Sequence, residues 1–177
     1  MPSKTISINR APVLTLWTAV VAERLGFDED EALTLGKALA GLNAQSKGRR
    51  LGIFKSHEEK PKKAREKERG EQFRIELCGR PMPAKNTEEG IRAVSGAKLI
   101  ESESVRRYLE GKFGENLAAV RSAMQRLANS FEPKELAERA FGLYERFRPA
   151  IPQGVNGWGA KGNLDLGLIE GLASENT

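Results

Sequence analysis

Val13, Trp17, Val20, Val21 and Leu25 recur at three- and four-residue spacing, the repeat of one helix face, and Gly26 stops the run. Pro12 suits the first turn of that helix. Asp28 then offers an N-cap, with Glu31 three residues on as its capping-box partner. Ala32, Leu35, Leu39 and Leu42 form the apolar stripe of a second helix. A connection as short as Gly26-Phe27 turns the two helices back on one another, so residues 13–43 predict a helical hairpin.

The period then changes. Phe73, Ile75 and Leu77 alternate with Arg74, Glu76 and Cys78, the pattern of a half-buried strand. A strand needs neighbours. Leu51 with Ile53, and the N-terminal pair Ile6 and Ile8, are the candidates, which predicts a small two- or three-stranded antiparallel sheet. On this reading the charged stretch 56–70 is a long, mobile hairpin excursion. Pro81, Pro83 and Asn86 mark a turn, and 87–94 reads as a short helix.

Helical spacing returns downstream. A helix over 103–113 buries Val105, Leu109 and Phe113 and ends at Gly114. Another over 115–128 buries Leu117, Val120, Met124 and Leu127, and a third over 133–147, opened by Pro133, buries Leu136, Ala140, Tyr144 and Phe147. Residues 149–163 read as a loop rich in Pro and Gly. A last helix near 164–173 places Leu164, Leu168, Ile169 and Leu172 on the body. The expected fold is mainly α within the α+β class, with five to six helices, an N-terminal helical hairpin and the small sheet. Residues 1–95 hold the hairpin, the strands and a basic loop, and 96–177 form a helical C-terminal part packed with the first as one unit.

Charge sharpens this picture. Residues 47–69 carry ten Lys/Arg against four Glu, a local charge of +6 in a chain whose net charge is +5. The remainder therefore comes to about −1, and the basic character sits in one segment. Lys47, Arg49 and Arg50 lie beside Leu51, Ile53 and Phe54 with no acid among them. Lys55, Lys60, Lys62, Lys63, Arg65, Lys67 and Arg69 follow, mixed with Glu58, Glu59, Glu66 and Glu68. A mixed-sign run of this kind also serves simply to solubilise a loop. Two basic clusters flanking a hairpin could clamp a phosphate backbone, with Phe54 as a single stacking ring. Nucleic acid is the expected partner, bound through this arm.

Two further constellations compete with that reading. The helix pair at 13–43 resembles a DNA-binding helix-turn-helix over about thirty residues, with Ala22 and Gly26 four apart at the turn. Its second helix begins Asp28-Glu29-Asp30-Glu31, however, and four carboxylates at the reading end would meet phosphates and be repelled. Leu14, Leu16, Phe27 and Leu33 remain outside the core-facing stripes, so the same hairpin offers a homodimer or adaptor surface. The loop 154–163 places four glycines in nine residues ahead of a helix, with Asn163 as cap. Gly157, Gly159, Lys161, Gly162 and Asn163 are thus candidates for holding an anionic small molecule. The structural alternative there is Trp158 plugging the core while the glycines let the chain turn.

Other chemistry is thin. One cysteine, Cys78, and one histidine, His57, leave no disulfide framework and little zinc or triad chemistry. Twenty-one Glu against three Asp point to solvated helix faces rather than metal cages. No cofactor is implied. The N-terminus MPSKTISINR lacks the apolar core of a signal peptide, and no apolar run approaches the roughly eighteen residues of a membrane span. With the lone cysteine these features predict a cytoplasmic protein.

Overall fold

The computed structural model describes residues 5–50, 72–77, 80–87, 90–95, 98–149 and 161–175. The chain runs β1 (Thr5–Asn9), α1 (Arg10–Arg24), α2 (Glu29–Arg50), β2 (Gln72–Leu77), β3 (Arg80–Thr87), β4 (Gly90–Ser95) and β5 (Lys98–Leu99). It continues through α3 (Ser102–Phe113), a 3-10 turn, α4 (Leu117–Asn129), α5 (Pro133–Phe147), β6 (Lys161–Asp165) and α6 (Leu166–Glu175). The fold is mainly helical and of the α+β class, with the hairpin and the small antiparallel sheet that the spacing predicts. No helix among the described residues is long and apolar enough to cross a membrane.

Helix α1 is the centre of the molecule. Its apolar residues were expected to form one stripe, yet every residue from Pro12 to Ala22 is buried. The reason is that α2, α3, α4 and α5 all pack on it, so it has no solvent face. Trp17 is completely buried and donates its indole N–H to the Ala140 carbonyl of α5 at 2.9 Å. Its ring meets Phe147 edge to face, centroids 5.2 Å apart. The buried Thr15 hydroxyl donates to the Ala11 carbonyl, 2.9 Å away, which lets a polar side chain stay dry.

The turn to α2 follows from two residues. Gly26 sits at φ +114°, a conformation that L side chains avoid. Asp28 Oδ1 then accepts the Glu31 N–H at 2.8 Å while Glu31 Oε1 accepts the Asp28 N–H at 3.0 Å, the reciprocal capping box. The two helices approach so closely at Gly36 that a Cβ built there would lie 2.3 Å from the Thr15 carbonyl oxygen.

The main sheet has the order β2-β3-β4-β5, antiparallel throughout. Two expectations are corrected here. The stretch with Pro81, Pro83 and Asn86 is strand β3, not a turn, and 87–94 belongs mostly to strand β4, not to a helix. The prolines stand opposite Glu76 and Arg74 of β2, in the half of β3 that β4 does not reach, so their missing N–H groups need no second partner. On β4 the exposed N–H groups are taken by α2. Glu31 Oε2 accepts the Ile91 N–H at 2.8 Å, and Thr34 Oγ1 accepts the Ala93 N–H at 3.1 Å. A helix thus seals a sheet edge that would otherwise be open. Met82, Ala84 and Ala93 are fully buried.

A further correction, of pairing, concerns Ile6 and Ile8. Strand β1 does not join β2; it pairs with β6, Ile6 opposite Leu164 and Ile8 opposite Gly162. Residues 161–163 are therefore strand rather than loop. Asn163 lies opposite Ser7 and does not cap the last helix, whose first turn is held instead by Asp165 Oδ1 accepting the Gly167 N–H at 2.9 Å. The helices over 102–113, 117–129 and 133–147 bury the residues their spacing indicates, save that Leu117 is only partly buried.

Candidate nucleic-acid interface

Helix α2 changes character along its length. Its first turn, Glu29-Asp30-Glu31, is acidic, which suits the positive end of a helix. Those carboxylates are also spoken for by side chains from elsewhere. Arg106 of α3 reaches Glu29 at 2.7 Å, Asp30 at 3.1 Å and its own neighbour Glu103 at 2.7 Å. Arg121 of α4 reaches Glu23 at 2.6 Å and Glu29 at 3.4 Å. The hydrogen bond from Arg106 holds the Asp30 carboxyl below the usual Asp range against the opposing effect of burial, with Ser102 and Arg92 adding to the lowering. The same contacts raise Arg106 above the ordinary arginine value. The end of the helix that would have to read bases in a helix-turn-helix is thus bound to α3, α4 and β4.

Midway along, Lys37 lies 3.8 Å from the centroid of the Tyr108 ring. Burial, and then the charge of Lys112, lower Lys37 from its ordinary value. Ala38, Leu39 and Ala40 are buried, Gly41 is exposed, and the helix runs on to Arg50, nine residues and roughly 14 Å further. That last stretch carries Lys47, Arg49 and Arg50. Basic residues also favour the negative end of a helix, so part of their placement is local chemistry.

Lys55, Lys60, Lys62, Lys63, Arg65 and Lys67 fall outside the described residues, as do His57, Cys78, Trp158, Gly157 and Gly159. Of the anion-site candidates, Lys161, Gly162 and Asn163 are brought together on β6, opposite Asn9, Ile8 and Ser7. Three of the residues that suggested a partner surface on the hairpin, Leu14, Leu16 and Leu33, are at most 1% exposed, and Phe27 is partly buried. That apolar surplus is used inside the chain because α1 is packed on all sides. No family model, curated protein or solved structure matches the chain.

Residues that sequence reasoning passed over include Thr34 and Arg106. Thr34 falls outside the apolar stripe of α2, and its role depends on β4, sixty residues away. Arg106 sits on an exposed face among several arginines, and only the fold reveals which of them meets the acidic turn.

Proposed function

We propose that this protein binds nucleic acid along the phosphate backbone through the basic arm that begins on the last turns of α2. Lys47, Arg49 and Arg50 start it, and Lys55, Lys60, Lys62, Lys63, Arg65 and Lys67 continue it. Cations that contact phosphates give affinity with little sequence preference, so the reading predicts a general binder. The observation that carries it is the division of charge. The acidic turn of α2 meets Arg106 and Arg121, while the segment 47–69 holds a surplus of +6 in a chain of +5. An unbalanced positive segment attached to a folded body is what a polyanion selects.

Salt dependence tests it. Four phosphate contacts imply a slope of log affinity against log salt of about −3 to −4, and a protein with this arm should retain nucleic acid at roughly 50 mM salt. Exchanging Arg49, Arg50, Lys62 and Lys63 for Ala should flatten the slope and weaken all sequences alike. Absence of binding at low salt, or binding that ignores salt, removes this reading.

A further inference from the structure

The main sheet ends differently on its two sides. Beyond β4, Glu31 and Thr34 of α2 take outward amides, and β5 pairs with Val94 and Ser95. Beyond β2, no strand among the described residues pairs with the outer edge. A strand edge left open is a template for another strand.

Which β2 groups face outward follows from the ladder. In an antiparallel pair, residues alternate between those that bond across and those whose N–H and C=O point away. Ala93 gives its N–H to Thr34, and its carbonyl accepts the Ile100 N–H at 2.9 Å, so it faces away from β3. Its β3 partner Ala84 therefore turns away from β4 and bonds to Phe73 of β2. By the same alternation Ile75 and Leu77 bond to β3, while Arg74 and Glu76 do not. The prolines agree: Pro83 and Pro81, opposite Arg74 and Glu76, have no N–H to give. Both observations send the backbone N–H and C=O of Arg74 and Glu76 to the open edge.

The sequence along that edge is self-complementary. Two copies of β2 related by a two-fold axis must set outward-facing residues opposite one another, since a slip of one residue turns the apolar face onto the polar one. Centred on Arg74 or on Glu76, the pair puts like charges face to face. Centred on Ile75, it puts Arg74 of each copy opposite Glu76 of the other, and opposite charges across strands attract. The same register sets Ile75 opposite Ile75 and Phe73 opposite Leu77. Leu77 is buried and Ile75 is partly buried against the core, while Arg74 is exposed, so the apolar face continues across the seam.

We propose that the outer edge of β2 binds a second copy of this chain: the two main sheets join edge to edge, antiparallel and centred on Ile75, with Arg74 opposite Glu76 in both directions. Each of those pairs exchanges backbone hydrogen bonds as well as opposite charge. A strand of six residues makes a small interface, so the dissociation constant is on the order of 10 μM. The surface is distinct from the 13–43 hairpin and does not depend on the basic arm.

The test is sedimentation equilibrium of the full chain from about 1 to 300 μM, with amide hydrogen exchange at both ends of that range. The mass should rise from that of one chain toward that of two. The Arg74 and Glu76 amides should exchange several-fold more slowly at the high concentration, whereas the Ile75 amide, bonded to β3, is protected throughout. Arg74→Glu and Glu76→Arg should each abolish the rise in mass, because each sets like charges opposite one another at the seam. An equimolar mixture of the two variants should dimerise again, because every facing pair is then of opposite charge. The exchange measurement on the wild type decides the matter even if a variant fails to fold. A monomer at every concentration overturns the proposal. So do Arg74 and Glu76 amides protected at every concentration, which would mean that the chain covers its own edge. A dimer that survives Arg74→Glu, or a mixture of the folded variants that stays monomeric, overturns it as well.

Discussion

From Glu29 to Ala40, helix α2 is fastened to α1, α3 and β4, whereas from Gly41 to Arg50 the same helix carries the start of the basic arm. In the first half each polar group has an address inside the molecule. Asp28 and Glu31 cap each other, Glu31 and Thr34 take two β4 amides, and Glu29 and Asp30 meet Arg106. In the second half the sequence turns to Lys47, Arg49 and Arg50, and the excess charge continues past the end of the helix. Charge used to stitch a fold is balanced within it, while charge set aside for a partner is not. On the proposed reading one helix joins both uses.

The largest effect that would break this comparison lies at the helix crossing. Gly36→Ala puts a methyl group 2.3 Å from the Thr15 carbonyl, against backbone that can yield only if the helices part. Chemical denaturation should show a loss of about 3 kcal/mol. Thr34→Val comes next. It keeps the shape but removes the acceptor of the Ala93 N–H in a fully buried position, and a loss of about 2 kcal/mol is expected by the same measurement. The matched change in the other half has the opposite sign. A Cβ at Gly41 meets nothing within 4 Å, so Gly41→Ala should stabilise the protein by about 0.5–1 kcal/mol through helix propensity. Destabilisation by Gly41→Ala would mean that the second half is packed as tightly as the first.

Arg106→Gln is the mildest of these. Its partners are about half exposed, so the loss near neutral pH should be about 0.5 kcal/mol. Its pH signature is more telling. The Asp30 carboxyl is depressed in the folded state, so its contribution is complete above the ordinary Asp value and disappears as pH falls through the lower, folded one. Acid titration of stability should therefore be steeper for the wild type than for Arg106→Gln on the acid side of that ordinary value. Identical curves would show that the Arg106 contact contributes nothing in solution.

Much of the helical frame is legible in the sequence because its signals are local. The reciprocal pair Asp28 and Glu31, Pro133 at the opening of α5, and the three-and-four spacing of Val105, Leu109 and Phe113 all act within a turn or two. The strands are harder. Pro81 and Pro83 signal a turn to any local reading, and only the limited reach of β4 makes them acceptable in β3. Ile6 gives no hint that its partner is Leu164, since the pairing spans nearly the whole chain. The basic arm is visible because charge adds up along a segment. The hydrogen bond from Arg10 to the Pro149 carbonyl is not, because it exists only after α1 and α5 have packed.

The central claim is that the two kinds of charge have separate jobs, and fluorescence anisotropy with a labelled oligonucleotide across a salt series tests it most directly. Three proteins are compared: the wild type, Arg106→Gln, and the arm variant with Arg49, Arg50, Lys62 and Lys63 changed to Ala. The account predicts that Arg106→Gln binds as the wild type does, with a log–log salt slope of about −3 to −4. The arm variant, its stability unchanged within about 0.5 kcal/mol, should lose most of its affinity and most of that slope. An arm variant that binds with wild-type affinity and slope, or a wild type that shows no binding at low salt, contradicts it.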